Sequence, residues 1–531
     1  MRSSTDEATD AGMGPSGAPH GPLDVIVVGA GPTGLMLAVE LRLAGAGVLV
    51  LERQPEPRTT PKAGGLNGQI LEHLRYRGLL DRFEQVGTTP QMPLRLPFGG
   101  LHVDFAPLPE PPMRLLLLPQ PELESVLADL AVELGAEIRR GNEVVGLSHD
   151  ELAVAVTVRD GHRHHLERAR YLVGCDGSQS RVRELAAIGF PGMTYPEVQR
   201  LAQVSVPATV TLLDGGDIEV EGFGRIPFGF TRNERGEFAL GSTNPDALGL
   251  YTSEDESADY DEDEPMTLDE LRHSIKRVLG VDLPLEQASR LTRFTFHARL
   301  AERFRAGRVM VAGDAAHLFP SPGVALNAGM LDSINLAWKL AAAIQGWAPP
   351  GLLDTYHEER HGAATRTMLH TQAQVALRRG SDPAAVALRA LFSELLADTQ
   401  PLERIGAFIA ASDIRYPPSE TGAHPLAGAF APDLALEGTS NASSVADLLH
   451  EVRPVLLLLA ERPDLLELAR AWQDRVKIVS ATTRERPGDA LLIRPDAYVA
   501  WAARVDEPAS SATVGLREAL AQWFGASREV G

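Results

Sequence analysis

The sequence predicts an α/β protein in three folded parts: a parallel-sheet nucleotide-binding unit, a mostly antiparallel sheet inserted into it, and a smaller α/β domain at the C-terminus. Three observations carry this. An apolar run, a glycine-rich turn and a helical pattern follow one another over residues 23–53. Two later segments, 171–192 and 307–340, repeat the order of apolar strand, Gly/Asp turn and helix. Between them, residues 193–296 show period-2 patches separated by glycine-rich or asparagine-containing turns, the pattern of antiparallel strands.

The first segment reads LDVIVVGAGPTGLMLAVELRLAGAGVLVLER. Leu23–Val28 is a short β-branched run suited to a buried parallel strand. Gly29, Gly31 and Gly34 then form GxGxxG ahead of an apolar helix that Gly45 ends, and Val48–Leu51 makes a second strand closing on Glu52. Gly29 permits the tight turn, Gly31 lets the backbone approach a pyrophosphate, and Gly34 lets helix and strand pack closely. The helix N-terminus, with Pro32 and Thr33 in its first turn, offers N–H groups and a positive dipole to phosphate. Glu52, 18 residues after Gly34, is placed to accept from an adenosine ribose. This is a Rossmann-like cradle, and by itself it does not choose between NAD and FAD.

YLVGCDGSQSRVRELAAIGFPG (171–192) runs a strand, Tyr171–Gly174, into Asp176-Gly177, with Ser180, Arg181 and Arg183 on the next turn. GRVMVAGDAAHLFPSPGVALNAGMLDSINLAWKL (307–340) runs a strand, Val309–Ala312, into Gly313-Asp314, then a loop, then a helix from about Ala328. An acid at that strand end suits the ribityl hydroxyls of FAD. Together the three motifs resemble the flavoprotein aromatic hydroxylases, the group typified by p-hydroxybenzoate hydroxylase and phenol hydroxylase, over roughly residues 23–395. ELRLAGA (40–46), RRGNEVVGL (139–147), YLVGCDG (171–177) and LLDTYHEERH (352–361) are most similar to the members that tailor aromatic polyketides of the angucycline and anthracycline type.

The resemblance implies FAD as bound cofactor, with NADPH (or NADH) and O2 as co-substrates. NADPH would reduce the flavin, O2 would add at flavin C4a, and the resulting (hydro)peroxide would pass one oxygen to a polycyclic aromatic polyketide. It implies that Gly29, Gly31, Gly34, Glu52 and Arg53 hold the adenosine diphosphate half, that Gln120 contacts FAD, that Asp176 serves FAD and NADPH, and that Asp314 binds the ribityl chain. Lys62 and Gln69 stand where the family carries arginines beside FAD, and Lys62 keeps a charge without the planar fork. Phe223, Phe228 and Phe230 are candidates for lining the substrate cavity. His317 is expected to be structural, and no Ser/His/Asp triad or WxWxIP halogenase segment is present.

One stretch departs from the family pattern. HLFPSPGVALN reaches Asn327 one residue early and puts Val324 and Ala325 where glycines are usual after Gly323. The backbone of Ala325, Leu326 and Asn327 is then expected to face the flavin pyrimidine, with Pro322 and Gly323 at the C4a side. Pro320 and Pro322 stiffen the new path. Hydroxylation is the expected reaction; Baeyer–Villiger insertion beside a ketone is the alternative this loop raises, and a flavin-binding protein without catalysis is a remote one.

The remaining organisation is read from length and composition. At roughly 100–200 residues per domain, 531 residues suit about three domains. The expected division is a disordered tail (1–21), an FAD-binding domain (22–190 with 297–400), a substrate-binding sheet (191–296), a linker (401–424) and a C-terminal domain (425–531). The last resembles the thioredoxin-like domain of larger family members, but lacks CxxC and any cysteine, so a structural or subunit-contact role is expected, with a homodimer as the assembly. A formal charge of −21 argues against nucleic acid and anionic membranes as partners, and the acidic run 253–264 reads as a solvated loop. A single cysteine, Cys175, excludes an internal disulfide and a cysteine-rich metal site and suits the cytoplasm.

Overall fold

The computed structural model describes residues 23–90, 95–213, 215–241, 247–255, 265–417, 423–439 and 442–527. The expected tail (1–21), the acidic run from residue 256 onward and the centre of the expected linker (418–422) lie outside these residues.

The central sheet is built around β1 (Leu23–Val28), which pairs in parallel with β2 (Val48–Glu52) on one side and with Arg163–Gly174 on the other. Arg163–Gly174 in turn pairs in parallel with Val309–Val311. Register places Val28 beside Gly174 and Gly174 beside Val311. The three motifs read from sequence therefore leave the sheet side by side from carboxyl ends of adjacent strands, where ligands bind in open α/β sheets. The apolar runs need no alternation because both faces are covered. Helix α1 (Pro32–Leu43) and the helix Ala325–Gln345 pack on one face, while Val144, Val154, Val156 and Val158 cover the other.

The inserted sheet has the order 229–233, 236–241, 247–255, 192–205, 288–300 and 317–318, all antiparallel. One face, carrying Ala202, Phe238, Leu240 and Leu250, packs on Leu271, Ile275 and Val278 of the helix Leu268–Leu279. Alternation then fixes the opposite face: Phe230, Ala239, Tyr251, Leu201 and Thr292 are cross-strand neighbours in one row. That face turns toward the helix Asp354–Arg378, where Val375 and Met368 meet Tyr195, Phe294 and Phe296.

Residues 401–410, expected as linker, are most of the helix Thr399–Ala410. Leu402 and Ile405 are buried there against Phe98, Phe105 and Met113, so the stretch belongs to a core, and irregular backbone begins only beyond Ala410. Sequence composition around Pro401 misled because the Pro/Gly signal at 417–425 was extended backward over an amphipathic run.

The C-terminal part is a four-stranded sheet in the order 477–480, 455–458, 490–493 and 499–503, closed by the helix Ala509–Phe524. It is tied to the first domain by buried charge. Arg494 donates to Glu359 and Asp496, Lys339 donates to Glu359 and Asn335, and Arg77 pairs with Glu40 while donating to the carbonyls of Leu449 and Pro495. Burial pushes the Glu359 carboxyl up, but the charges of Arg494 and Lys339 and the hydrogen bonds from Arg494 and Asn335 outweigh it and hold it at about 2. A depressed carboxylate stabilises the fold above its unfolded value and loses that contribution as pH falls through the folded one. Thermal unfolding scans should therefore show the midpoint falling as pH drops from about 4.5 toward 2, with the dependence flattened in Glu359→Gln; an unchanged slope in the variant would contradict the assignment.

Candidate functional site

The glycine turn has little room. Gly29 has φ +106°, and a Cβ there would lie 2.3 Å from the Cys175 carbonyl oxygen; at Gly34 it would lie 2.0 Å from the Gly29 oxygen. Gly31 is different: no other protein atom lies within 4 Å of its Cβ position. Two of the glycines thus let the strand ends and α1 touch, and the third leaves a gap for a ligand. Pro32 opens α1, and no side chain caps the helix, so its first N–H groups face that gap unpaired by a cap. Thr33 sits under Gly313 and Gly329, where a Cβ would lie 2.6 and 2.4 Å from its Oγ1. Glu52 accepts from the Ala30 and Gln54 N–H groups, each at 2.8 Å, which fixes its carboxylate at the end of β2.

A cleft of about 560 Å3 opens here, lined by Gly29, Gly31, Glu52, Arg53, Gln120 and Asp176 among others. Arg58, Arg140 and Arg181 also line it; of these the sequence reading named only Arg181, as part of the turn after Asp176, and assigned none to the site. Lys62 does not: it is exposed, outside the cleft lining, and its carbonyl accepts from Arg290. Between Glu52 and Leu71 the arginines that line the cleft are Arg53 and Arg58, the latter six residues past Glu52 in a loop with three prolines. Gln69 is buried at the start of the helix Gln69–Tyr76, with Nε2 lacking a hydrogen-bond partner among the described residues. Gln120 donates to Glu124 at 2.7 Å.

Asp176 accepts from Ser180 Oγ (2.5 Å) and the Val182 N–H (3.0 Å), and burial raises its carboxyl. Its local work is to anchor the helix Arg181–Leu185. Arg183 bridges the two acidic turns, donating to the carbonyls of Ser178 and Ala315. Asp314 is exposed at the end of Val309–Val311, beside Gly313 at φ +62°. What holds that turn is a residue the sequence did not flag. Asp332, fully buried in the helix Ala325–Gln345, accepts from the Gly313 N–H (3.0 Å), His317 Nε2 (2.7 Å) and Arg360 Nε (2.7 Å). Burial works against its charge, but His317 and Arg360 hold its carboxyl below the usual range. His317 is fully buried, bonded to Asp332 and stacked on Phe319. The sole acid inside a mostly apolar helix was the available signal.

The departing loop resolves simply. Gly323 is exposed with φ +80°, and Val324 (φ −103°) already begins the helix that starts at Ala325, three residues earlier than expected. Valine and alanine fit because these positions are helical and need no left-handed backbone. No side chain caps this helix, so the N–H groups of Ala325, Leu326 and Asn327 stay available. Asn327 pins the path: its Nδ2 donates to Gly323 O (2.9 Å) and its Oδ1 accepts from the Asn67 N–H (3.1 Å). Ser321 donates to Gln374 (3.0 Å), leaving Pro322 and Gly323 exposed between these anchors.

Phe228 and Phe230 meet around His102, at ring distances of 5.5 and 5.0 Å. Phe223 does not join them; it is half exposed at the turn between Ile218–Val220 and Gly224–Ile226. His102, Tyr251, Phe294 and Phe296, unremarked in the sequence, extend the aromatic surface.

A family model for the FAD-binding domain matches residues 22–371, and one for the C-terminal domain of aromatic-ring hydroxylases matches 424–527. The chain belongs to the FAD-binding aromatic-ring hydroxylases. It is 38% identical over 516 residues to a 12-dehydrotetracycline 5-monooxygenase/anhydrotetracycline 6-monooxygenase of Streptomyces rimosus, covering 94% of this chain and 99% of that one. It is 36% identical over 507 residues to a dialkyldecalin synthase of Streptomyces rugosporus, covering 94% and 98%. An aromatic hydroxylase from angucycline biosynthesis superposes with a TM-score of 0.83 at 34% identity, covering 96% of this chain and all of the other. Within this family the chain is an FAD-dependent monooxygenase. The site fits the cofactor on its own geometry: an open gap at Gly31 before an uncapped helix, the Glu52 carboxylate in the same cleft, and, past the end of the strand Val309–Val311, exposed Asp314 and a second uncapped helix at Ala325. No helix is long and apolar enough to cross a membrane, and no group of three or more metal-ligating side chains occurs among the described residues.

Proposed function

We propose that the protein hydroxylates a polycyclic aromatic polyketide, consuming NADPH and O2. The observation that carries this reading is the meeting of three strand ends at one crevice, beside a sheet face lined by aromatic side chains. FAD, when bound, supplies the activation of dioxygen. The chain's own residues do the rest. The N–H groups of α1 and Arg58 would hold the pyrophosphate, Glu52 the adenosine ribose and Asp314 the ribityl chain. The N–H groups of Ala325–Asn327 would offer donors to the pyrimidine edge. The sheet face and the helix Asp354–Arg378 would enclose a flat substrate and exclude water from the reacting face.

The purified protein should be yellow and should oxidise NADPH faster when a multi-ring quinone or phenol is added. Asp314→Ala should lower FAD affinity about tenfold or more in equilibrium dialysis, a loss the size of one charge-assisted hydrogen bond; wild-type affinity would remove the ribityl role. Carbon NMR of the product separates the reaction classes. A new oxygenated ring carbon on an intact skeleton is expected, whereas an ester or lactone carbonyl would establish Baeyer–Villiger insertion instead.

A further inference from the structure

Arg290 and Thr292 lie on the strand Ala288–Leu300, on the face opposite the helix Leu268–Leu279. Leu291 between them packs with that helix's core, so alternation aims 290 and 292 together toward the aromatic face, about 7 Å apart along the strand. Their surroundings are unusual. Arg290 gives one N–H to the Lys62 carbonyl at 3.1 Å, but its Nε is buried without a hydrogen-bond partner, as is the Thr292 hydroxyl. No carboxylate pairs with Arg290 among the described residues, and burial alone lowers its pKa. Of the other guanidinium groups near this face, Arg232 pairs with Glu237 across the sheet and Arg379 with Glu197, while Arg378 lies over the Phe296 ring at 4.6 Å.

Location joins the pair to the reaction centre. Lys62 leads into the strand Gly65–Asn67, whose Asn67 N–H bonds Asn327 at the loop expected to face the flavin ring. Both donors thus stand on the sheet face that the Lys62 carbonyl ties to the segment carrying Asn67, and one of them is a half-buried cation without a counter-ion among the described residues. Leaving such groups unsatisfied is costly, and a ligand oxygen would relieve both.

We infer that the substrate presents an anionic oxygen, a carboxylate or an ionised enol of a 1,3-dicarbonyl, to Arg290, and that Thr292 donates to a carbonyl oxygen of the adjoining ring. This rests on the polycyclic aromatic reading above and narrows it: a neutral polycycle lacks the group that the unpaired cation calls for. An arginine suits an ionised, delocalised oxygen pair better than a lysine does, because its planar fork can address both atoms. Thr292 recognises the carbonyl whether or not the neighbour is charged.

The test uses FAD-loaded full-length protein and two probes with the same rings, 9,10-anthraquinone-2-carboxylate and 9,10-anthraquinone-2-carboxamide, titrated while the visible flavin spectrum is recorded. Wild type should bind the carboxylate about tenfold more tightly than the amide, the scale of a hydrogen bond to a charged group. Arg290→Gln should erase the preference by weakening the carboxylate alone, and Arg290→Lys should keep part of it. Thr292→Val should weaken both probes by a similar factor. Equal affinities in wild type, or a preference surviving in Arg290→Gln with FAD content unchanged, would overturn the inference while leaving the polycyclic reading intact. Failure of both probes to perturb the flavin would overturn the polycyclic reading and the inference with it.

Discussion

Gly29→Ala should purify without colour. The added methyl would stand 2.3 Å from the Cys175 carbonyl oxygen, and φ is +106°, outside what alanine adopts without strain. Neither neighbour yields easily. The Gly29 N–H donates to Leu51 O at 2.8 Å, and the Cys175 N–H donates to Val28 O at 2.7 Å, so moving the turn breaks sheet hydrogen bonds on both sides of β1. The turn therefore has to open, carrying the N-terminus of α1 away from the pyrophosphate. Loss of FAD affinity by about a hundredfold is expected, together with a drop in apoprotein stability on the order of 2–3 kcal/mol from backbone strain and lost pairing. Gly31→Ala is the control. Nothing in the protein lies within 4 Å of its Cβ position, so apoprotein stability should be unchanged while FAD binding falls, because only the ligand occupies that gap. Equal stability losses in the two variants would mean that Gly31 serves packing, not approach.

Asp332→Ala should cost about 3–5 kcal/mol, the range for breaking a buried ion pair, because Arg360 would remain buried without a carboxylate. The same variant frees the Gly313 N–H and His317, so the turn bearing Asp314 should lose its fixed position and FAD affinity should fall with stability. Asp332→Asn keeps an acceptor for Gly313 but loses the charge, and should lie between wild type and alanine. Urea unfolding of apoprotein, set beside FAD dialysis of the same samples, checks both. A stable Asp332→Ala protein with normal FAD affinity would contradict the role given to this carboxylate.

The parallel core was legible because each of its strands is a short apolar run ending in a glycine turn, a pattern that leaves few alternatives. The turn formed by Gly29, Gly31 and Gly34 and the place of Glu52 at the end of β2 were readable for the same reason: they follow from local backbone geometry. Asp332 was not, since it acts on groups far away in sequence, and spacing along the chain carries no information about that; Arg58 was hidden by its place in a proline-rich loop. Phe223 was misplaced because three phenylalanines within eight positions look alike, while Phe223 falls at an exposed turn of a separate three-stranded sheet. The loop at Val324 shows a further limit. Missing glycines pointed to a new loop path, and an earlier helix start supplies it, removes the need for them and retains the N–H donors.

The central claim, transfer of one oxygen atom from O2 to a polycyclic aromatic substrate, is tested most directly by turnover under 18O2 with NADPH and anhydrotetracycline or a related multi-ring phenol. The account predicts a product heavier by one 18O atom, with NADPH consumed in step and the carbon skeleton unchanged. A product formed without 18O and without NADPH consumption, as in a cyclisation that leaves oxygen out, would contradict it.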